Sequence, residues 1–345
     1  MISSRGSFVG MGPVEDKRGT DRMDLPYYLV DVFTSVPLQG GNPHAVFPDA
    51  TGIDAGTMQM IAGELSLPET SFIIPQESSE VRTRVRIFTP DAEMPFAGVP
   101  TIGAVYVMRA LGIVPRNSKN IVLRENIGDV AVRVDDGEDP VIWLTSPPIE
   151  KLAEYPRERC AAMVRLQSDK LVANVPCELL SAGNAFIFIA VNRSEAVDEA
   201  RLDMAVFEEI ARDRSTPTQV FVFAPTDAGA YSRMFGPQIG IAEDPATGSA
   251  TGPLALFMMK YGLAQSADGT RFVSEQGTQM GRQSFLYVHV HGEKGAGGID
   301  VGGHVAELAK GVMSIRGNLP APAEMARFAS PRTVPDFVRA SSATP

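Results

Sequence analysis

Shifted by 150 residues, the chain repeats itself. "EMPFAGVPTIGAVYVMRALG" (93–112) lies without a gap on "EDPATGSATGPLALFMMKYG" (243–262). Glu93/Glu243, Pro95/Pro245, Gly98/Gly248, Thr101/Thr251, Met108/Met258 and Gly112/Gly262 are identical. At an offset of 149, "LPETSF" (67–72) lies on "TPTQVF" (216–221); at 142, "GNPHAVF" (41–47) lies on "GNAFIFI" (183–189). The order is kept while the offset drifts one way, as small loop deletions would make it. A duplicated chain of this kind predicts two similar lobes.

Periodicity fills in the lobes. "YYLVDVF", "HAVF", "SFIIP" and "RTRVRIF" read as strands, the last alternating Arg84 and Arg86 with Val85 and Ile87. "GTMQMIAGEL" and "GVPTIGAVYVMRAL" read as helices. The second half repeats the scheme with "AFIFIAV", "AVFEEIARD", "QVFVFAP" and a helix after Gly248. Ala250, Leu254, Phe257, Met258 and Tyr261 form one apolar stripe there. Gly112 and Gly262 stand where a helix-ending glycine belongs. The lobes are expected over 27–148 and 149–318, with 1–26 a flexible extension and 319–345 a loosely ordered tail.

Each repeated turn opens a helix, whose free N–H groups and positive dipole end suit an anion. Gly98 and Gly248 allow close approach; Thr247, Ser249 and Thr251 add hydroxyls. No P-loop lysine follows, so a substrate carboxylate fits better than a phosphate. A single such turn reads as a capped helix. Two related turns favour a shared cleft. The acids are asymmetric: Glu69 faces Thr218 in the repeat, and Asp244 faces Met94. This predicts one asymmetric active site, with Glu69 and Asp244 as its catalytic pair.

Bulk properties narrow the partners. The 345 residues are 44% hydrophobic and 21% charged, with net charge −10 and no basic cluster. Nucleic acid and anionic membrane are therefore poor partners. No apolar run reaches a membrane span, and the start lacks a secretory signal, so a cytoplasmic location is expected. Cys160 and Cys177 read as reduced structural thiols. His289 and His291 share a strand face, but with no clear third ligand in the sequence they read as a pair without function, and no metal is expected.

"DVFTSVPLQGGNPHAVF", "LPETSFI", "RIFTPDAEMPFAGVPTIGA", "EDPATGSATGPL" and "EQGTQMGRQS", in that order, resemble the PhzF-like family of phenazine biosynthesis, from about Tyr27 to Ile315. The resemblance implies an α+β fold of two pseudo-symmetric diaminopimelate-epimerase-like lobes. Each would be a curved sheet around a central helix, with the active site in the cleft between them. It also implies a homodimer and cofactor-free acid–base isomerisation or epimerisation of a small carboxylate substrate. The family's glutamate proton carrier matches Glu69, and its second-turn aspartate and serine match Asp244 and Ser249. Asn42, Gly98, Val99, Thr247, Gly248 and Ser249 are assigned to substrate binding. The family's "FAGHP" is "FAGVP" here, so Val99 replaces a histidine. The open alternatives are lyase-type elimination in the same cleft and a non-catalytic small-molecule binding protein. A two-thiol racemase is excluded, because the helix starts carry Val99 and Ser249.

Overall fold

The structure, a computed structural model, describes residues 22–75, 82–212 and 217–316. Pro26–Gly311 form one compact unit. The strand ends 22–25 and 312–316 belong to a second, in which Arg22 Nη2 donates to Ser314 Oγ at 3.2 Å. The first strand spans Arg22–Val32, so it starts before the expected lobe boundary at 27. The expected tail at 319–345 and residues 1–21 of the expected extension lie outside the described residues.

The fold is α+β, and the repeated sequence appears as repeated strand pairing. Asn42–Phe47 runs parallel to Glu69–Ile74, which pairs antiparallel with Arg82–Phe88. That strand runs parallel to Asn120–Glu125, which turns back into Gly128–Val134. The second half follows the same sequence of directions through Ala185–Ala190, Thr218–Thr226, Gly229–Gly236, Arg271–Gln276 and Ser284–His291. Strands also cross between the halves: Ile142–Thr145 of the first pairs with Gly298–Gly303 of the second. Near the other end Phe33 N–H donates to His304 O at 2.8 Å, and Phe285 N–H donates to Phe33 O at 2.9 Å.

Each half encloses one helix, Gly98–Leu111 and Gly248–Lys260. The single apolar stripe expected on the second was too narrow a reading. Eleven of its 13 residues are buried, on every face, because sheet and loops surround it. Both helices stop in the same way. Gly112 (φ 73°) and Gly262 (φ 68°) take the left-handed conformation that glycine adopts without strain. The next residues, Ile113 and Leu263, donate back to Met108 O (2.9 Å) and Met258 O (2.8 Å).

The acids shared by both halves are structural. Arg86 grips Glu93 through Nε and Nη2 at 2.8 and 2.6 Å, and Arg233 grips Glu243 in the same fork at 2.7 and 2.7 Å. These pairs tie strands entering the two turns. Among the described residues, no helix is long and apolar enough to cross a membrane.

Candidate active site

The two central helices begin against each other. A Cβ on Gly98 would stand 2.9 Å from Gly248 Cα, and one on Gly248 would stand 3.1 Å from Gly98 Cα. Only paired glycines allow this approach. Neither helix start has a side-chain cap: the residues before them, Ala97 and Thr247, make no capping bond. Two positive dipole ends and their first N–H groups thus converge on one place. Such a place attracts a carboxylate.

A pseudo-twofold pair of asparagines brackets this contact. Asn42 Nδ2 donates to Ala246 O at 2.9 Å, reaching from the first half to the second turn. Asn184 Nδ2 donates to Phe96 O at 3.3 Å, reaching from the second half to the first turn. Asn184 also donates to Ser249 Oγ at 3.3 Å. The symmetry breaks at the acid: Asn42 Nδ2 makes a further bond to Asp244 Oδ1 at 2.8 Å.

Asp244 is buried in a polar net. Thr247 Oγ1 donates to its Oδ2 at 2.5 Å. Gln276 holds the same turn. Its Nε2 donates to Asp244 O and Thr247 Oγ1, each at 2.8 Å, and its Oε1 accepts from Thr247 N–H at 3.1 Å. Burial lifts the Asp244 pKa to about 7, against the lowering effect of the Thr247 and Asn42 bonds.

Glu69 begins the strand Glu69–Ile74 and is half-buried as a residue, yet loss of water around its carboxyl dominates its titration. Burial raises its pKa well above the carboxylate range, and the charges of Asp244 and Glu125 raise it further. His44 fixes the backbone at this point. Its Nδ1–H donates to Glu69 O at 3.0 Å, which leaves Nε2 to accept from Ser71 Oγ at 2.9 Å. Burial lowers the His44 pKa to about 3, so the ring is neutral. Glu125 is the third acid. It is 2% exposed, with Oε1 bonded to Thr101 Oγ1 at 2.7 Å and Oε2 unpartnered among the described residues. Burial lifts its pKa to about 8, opposed by Thr101 and Arg84.

Of the residues named from sequence, Asn42, Gly98, Thr247, Gly248, Ser249 and Asp244 therefore meet at the helix starts, and Glu69 is in electrostatic reach of Asp244. Val99 differs from the rest. It is 2% exposed, and its side chain packs in the apolar cluster that also holds Ala97 of the first turn and Ala246 of the second. Gln276, Asn184, His44 and Glu125 were not singled out. Three lie inside motifs already quoted from the chain. Glu125 and Gln276 end equivalent strands at an offset of 151, so a longer repeat alignment pairs them. Around Gln276, Arg282 braces the site from behind, donating to Gly41 O at 2.8 Å and Asp31 Oδ1 at 2.5 Å. Gly277 (φ 80°) lies against Pro245 O, where a Cβ would come to 2.6 Å.

The histidine pair needs correction. Asp300, cross-strand from His289, supplies the third potential ligand that spacing along the chain did not reveal. Cys160 and Cys177 are buried free thiols.

Comparison with known proteins agrees with this architecture. The PhzC-PhzF family, described as phenazine biosynthesis-like protein, matches residues 30–311. An uncharacterized isomerase of Mesorhizobium japonicum is 35% identical over 303 residues, covering 84% of this chain and 98% of its own. The trans-2,3-dihydro-3-hydroxyanthranilate isomerase of Pseudomonas aeruginosa is 31% identical over 293 residues, covering 83% and 98%. The crystal structure of a PhzF-family phenazine biosynthesis protein of Bacillus anthracis matches with a TM-score of 0.74 at 23% identity, covering 84% of this chain and 99% of that one. The fold is thus the diaminopimelate-epimerase-like one.

Proposed function

Since the chain belongs to the PhzC-PhzF phenazine biosynthesis-like family and its relatives are named isomerases, we propose that it is a cofactor-independent isomerase or epimerase acting on a small carboxylate. The observation that carries this reading is Glu69, half-buried with its pKa raised and in electrostatic reach of Asp244, which is bonded into one of the two turns that open uncapped helices. A substrate carboxylate would accept bonds from the N–H groups of Gly98–Val99 and Gly248–Ser249. Asn42 Oδ1, buried without a partner among the described residues, would accept from a substrate donor. Asp244 is oriented by Asn42 and Thr247 and holds a second polar group of the substrate.

Glu69 removes a proton from carbon as a carboxylate, and the resulting carboxylic acid returns it to another carbon or to the opposite face. No atom leaves and no electron acceptor is needed. Its raised pKa makes it a stronger base than an ordinary glutamate and lets it hold the proton between the two transfers. His44 is no alternative carrier, being buried, neutral and bonded through both nitrogens. Val99 stands where the resembled family motif FAGHP has histidine, so the substrate class is proposed more broadly than dihydrohydroxyanthranilate.

Solvent deuterium tests this reading. Small unsaturated or α-substituted carboxylates, starting with trans-2,3-dihydro-3-hydroxyanthranilate, are incubated in D2O and followed by proton NMR. A substrate should gain deuterium at the carbon that is protonated. Glu69→Gln should slow turnover at least about a hundredfold while the fold and ligand binding persist. Undiminished exchange in Glu69→Gln would reject Glu69 as carrier. Binding without any exchange would favour the binding-protein reading. A homodimer belongs to the same family expectation, and light scattering that finds only monomer would remove it.

A further inference from the structure

Away from the acids, three metal-ligating side chains gather on one sheet face. His289 and His291 alternate along Ser284–His291 and so project to the same side, their ring centroids 4.3 Å apart. Asp300 sits directly opposite His289 on the antiparallel strand Gly298–Gly303. One ligand atom from each residue lies within 4.8 Å of those of the other two. We propose that His289, His291 and Asp300 form a binding site for a divalent transition-metal ion of the zinc type, held by two imidazoles and one carboxylate.

The backbone ladder sets the spacing of the three groups, so little has to be ordered when an ion enters. Asp300 is prepared as a ligand. Its Oδ1 accepts from Thr145 Oγ1 at 2.8 Å, while its Oδ2 is hydrogen-bonded to His291 Nε2, also at 2.8 Å, a contact that an entering ion replaces as the imidazole loses that proton. His289 Nδ1 is buried with no partner among the described residues, a cost that a ligand could relieve. The His291 side chain is 39% exposed, which leaves an entry path and room for a water as fourth ligand. Imidazole with carboxylate selects zinc, nickel or copper over magnesium or calcium. Arg133 also opposes binding, with its Nη2 3.8 Å from Asp300 Oδ2. It is held by Asp135 and stacks over Trp143 at 5.2 Å, so it lowers affinity without filling a ligand position.

The site's place in the fold suggests its role. His289 pairs with Arg271, five residues along the strand from Gln276, which places the metal roughly 17 Å from that end of the strand. Thr145 lies on the strand that joins the first half of the chain to Gly298–Gly303. The ion would clamp this junction and take no part in proton transfer.

The test uses the untagged full chain, stripped of metal and titrated with Zn2+ by calorimetry and by NMR of the imidazole signals. The chain has only four histidines, so assignment is direct. One ion should bind per chain, shift His289 and His291 but not His44 or His304, and raise the melting temperature. His289→Ala and His291→Gln should each abolish this binding. Thr145→Val should weaken it about tenfold, as loss of an outer partner does. Arg133→Ala should tighten it. The single tryptophan, Trp143, has its ring 6.3 Å from His289, so Cu2+ at the same site should quench its emission. His291→Gln changes an exposed side chain and is the check should His289→Ala unfold. Absence of saturable binding, or binding that survives His291→Gln, overturns the proposal.

Discussion

Glu125 is a buried acid whose surroundings disfavour its charge. One oxygen has Thr101 and the other has no partner among the described residues. Its pKa is about 8 in the fold and that of Asp244 about 7, against ordinary values of 4.5 and 3.8. Between those limits the folded chain binds more protons than the unfolded one. The stability these neutral carboxyls contribute is therefore complete below their ordinary values and is lost as pH rises through about 7 and 8. Glu125→Gln keeps the Thr101 acceptor and cannot ionise. It should change stability little at pH ~5 and increase it at pH ~9, by on the order of a few kcal/mol at most. Denaturant melts at both pH values check this, and an equal effect at the two would show that Glu125 titrates normally. Val99→His buries an imidazole among apolar side chains and should destabilise the fold by about 1–3 kcal/mol. An unchanged melting temperature would mean that the position is already shaped for histidine.

At the scale of elements, the helix starts and helix ends answer differently to the same substitution. Gly98→Ala drives a Cβ into Gly248 Cα, which is backbone and cannot swing aside. It should cost about 1–3 kcal/mol and part the two turns. Gly112→Ala meets nothing within 4 Å but keeps a positive φ, so it should cost about 1–2 kcal/mol and leave the site intact. Amide spectra separate the two cases: only Gly98→Ala should move the signals of residues 244–250. Acetate should perturb the amides of Gly98, Val99, Gly248 and Ser249 in the native protein, each helix end contributing roughly 0.3–1 kcal/mol. No shift at these amides on titration would argue against an anion site there.

For the whole molecule, the exchanged strands matter most. Ile142–Thr145 of the first half needs Gly298–Gly303 of the second. A half cut out at the expected boundary, 27–148, would leave strand edges unpaired. The chain should therefore unfold in one cooperative step, with Trp143 emission and far-ultraviolet dichroism changing together. Residues 27–148 alone should give no cooperative transition. Two separated transitions in the full chain would show that its halves are independent domains.

What the sequence by itself determined is local or repeated. Alternation in "RTRVRIF", glycines after "MRAL" and "MMKY", and the aligned turns at Gly98 and Gly248 each depend on a few neighbouring residues. The asymmetric acids Glu69 and Asp244 stood out for the same reason, since the repeat supplies its own control. What only the tertiary structure decided depends on register and burial between distant strands. Asp300 becomes a neighbour of His289 through a cross-strand pairing, and Thr145 joins it from 155 residues away. Glu125 looks like any strand-end glutamate until packing removes its water, and that desolvation shifts its proton affinity. Val99 reads as part of the turn, and burial of the helix start packs its side chain into the apolar cluster that includes Ala246 of the second turn.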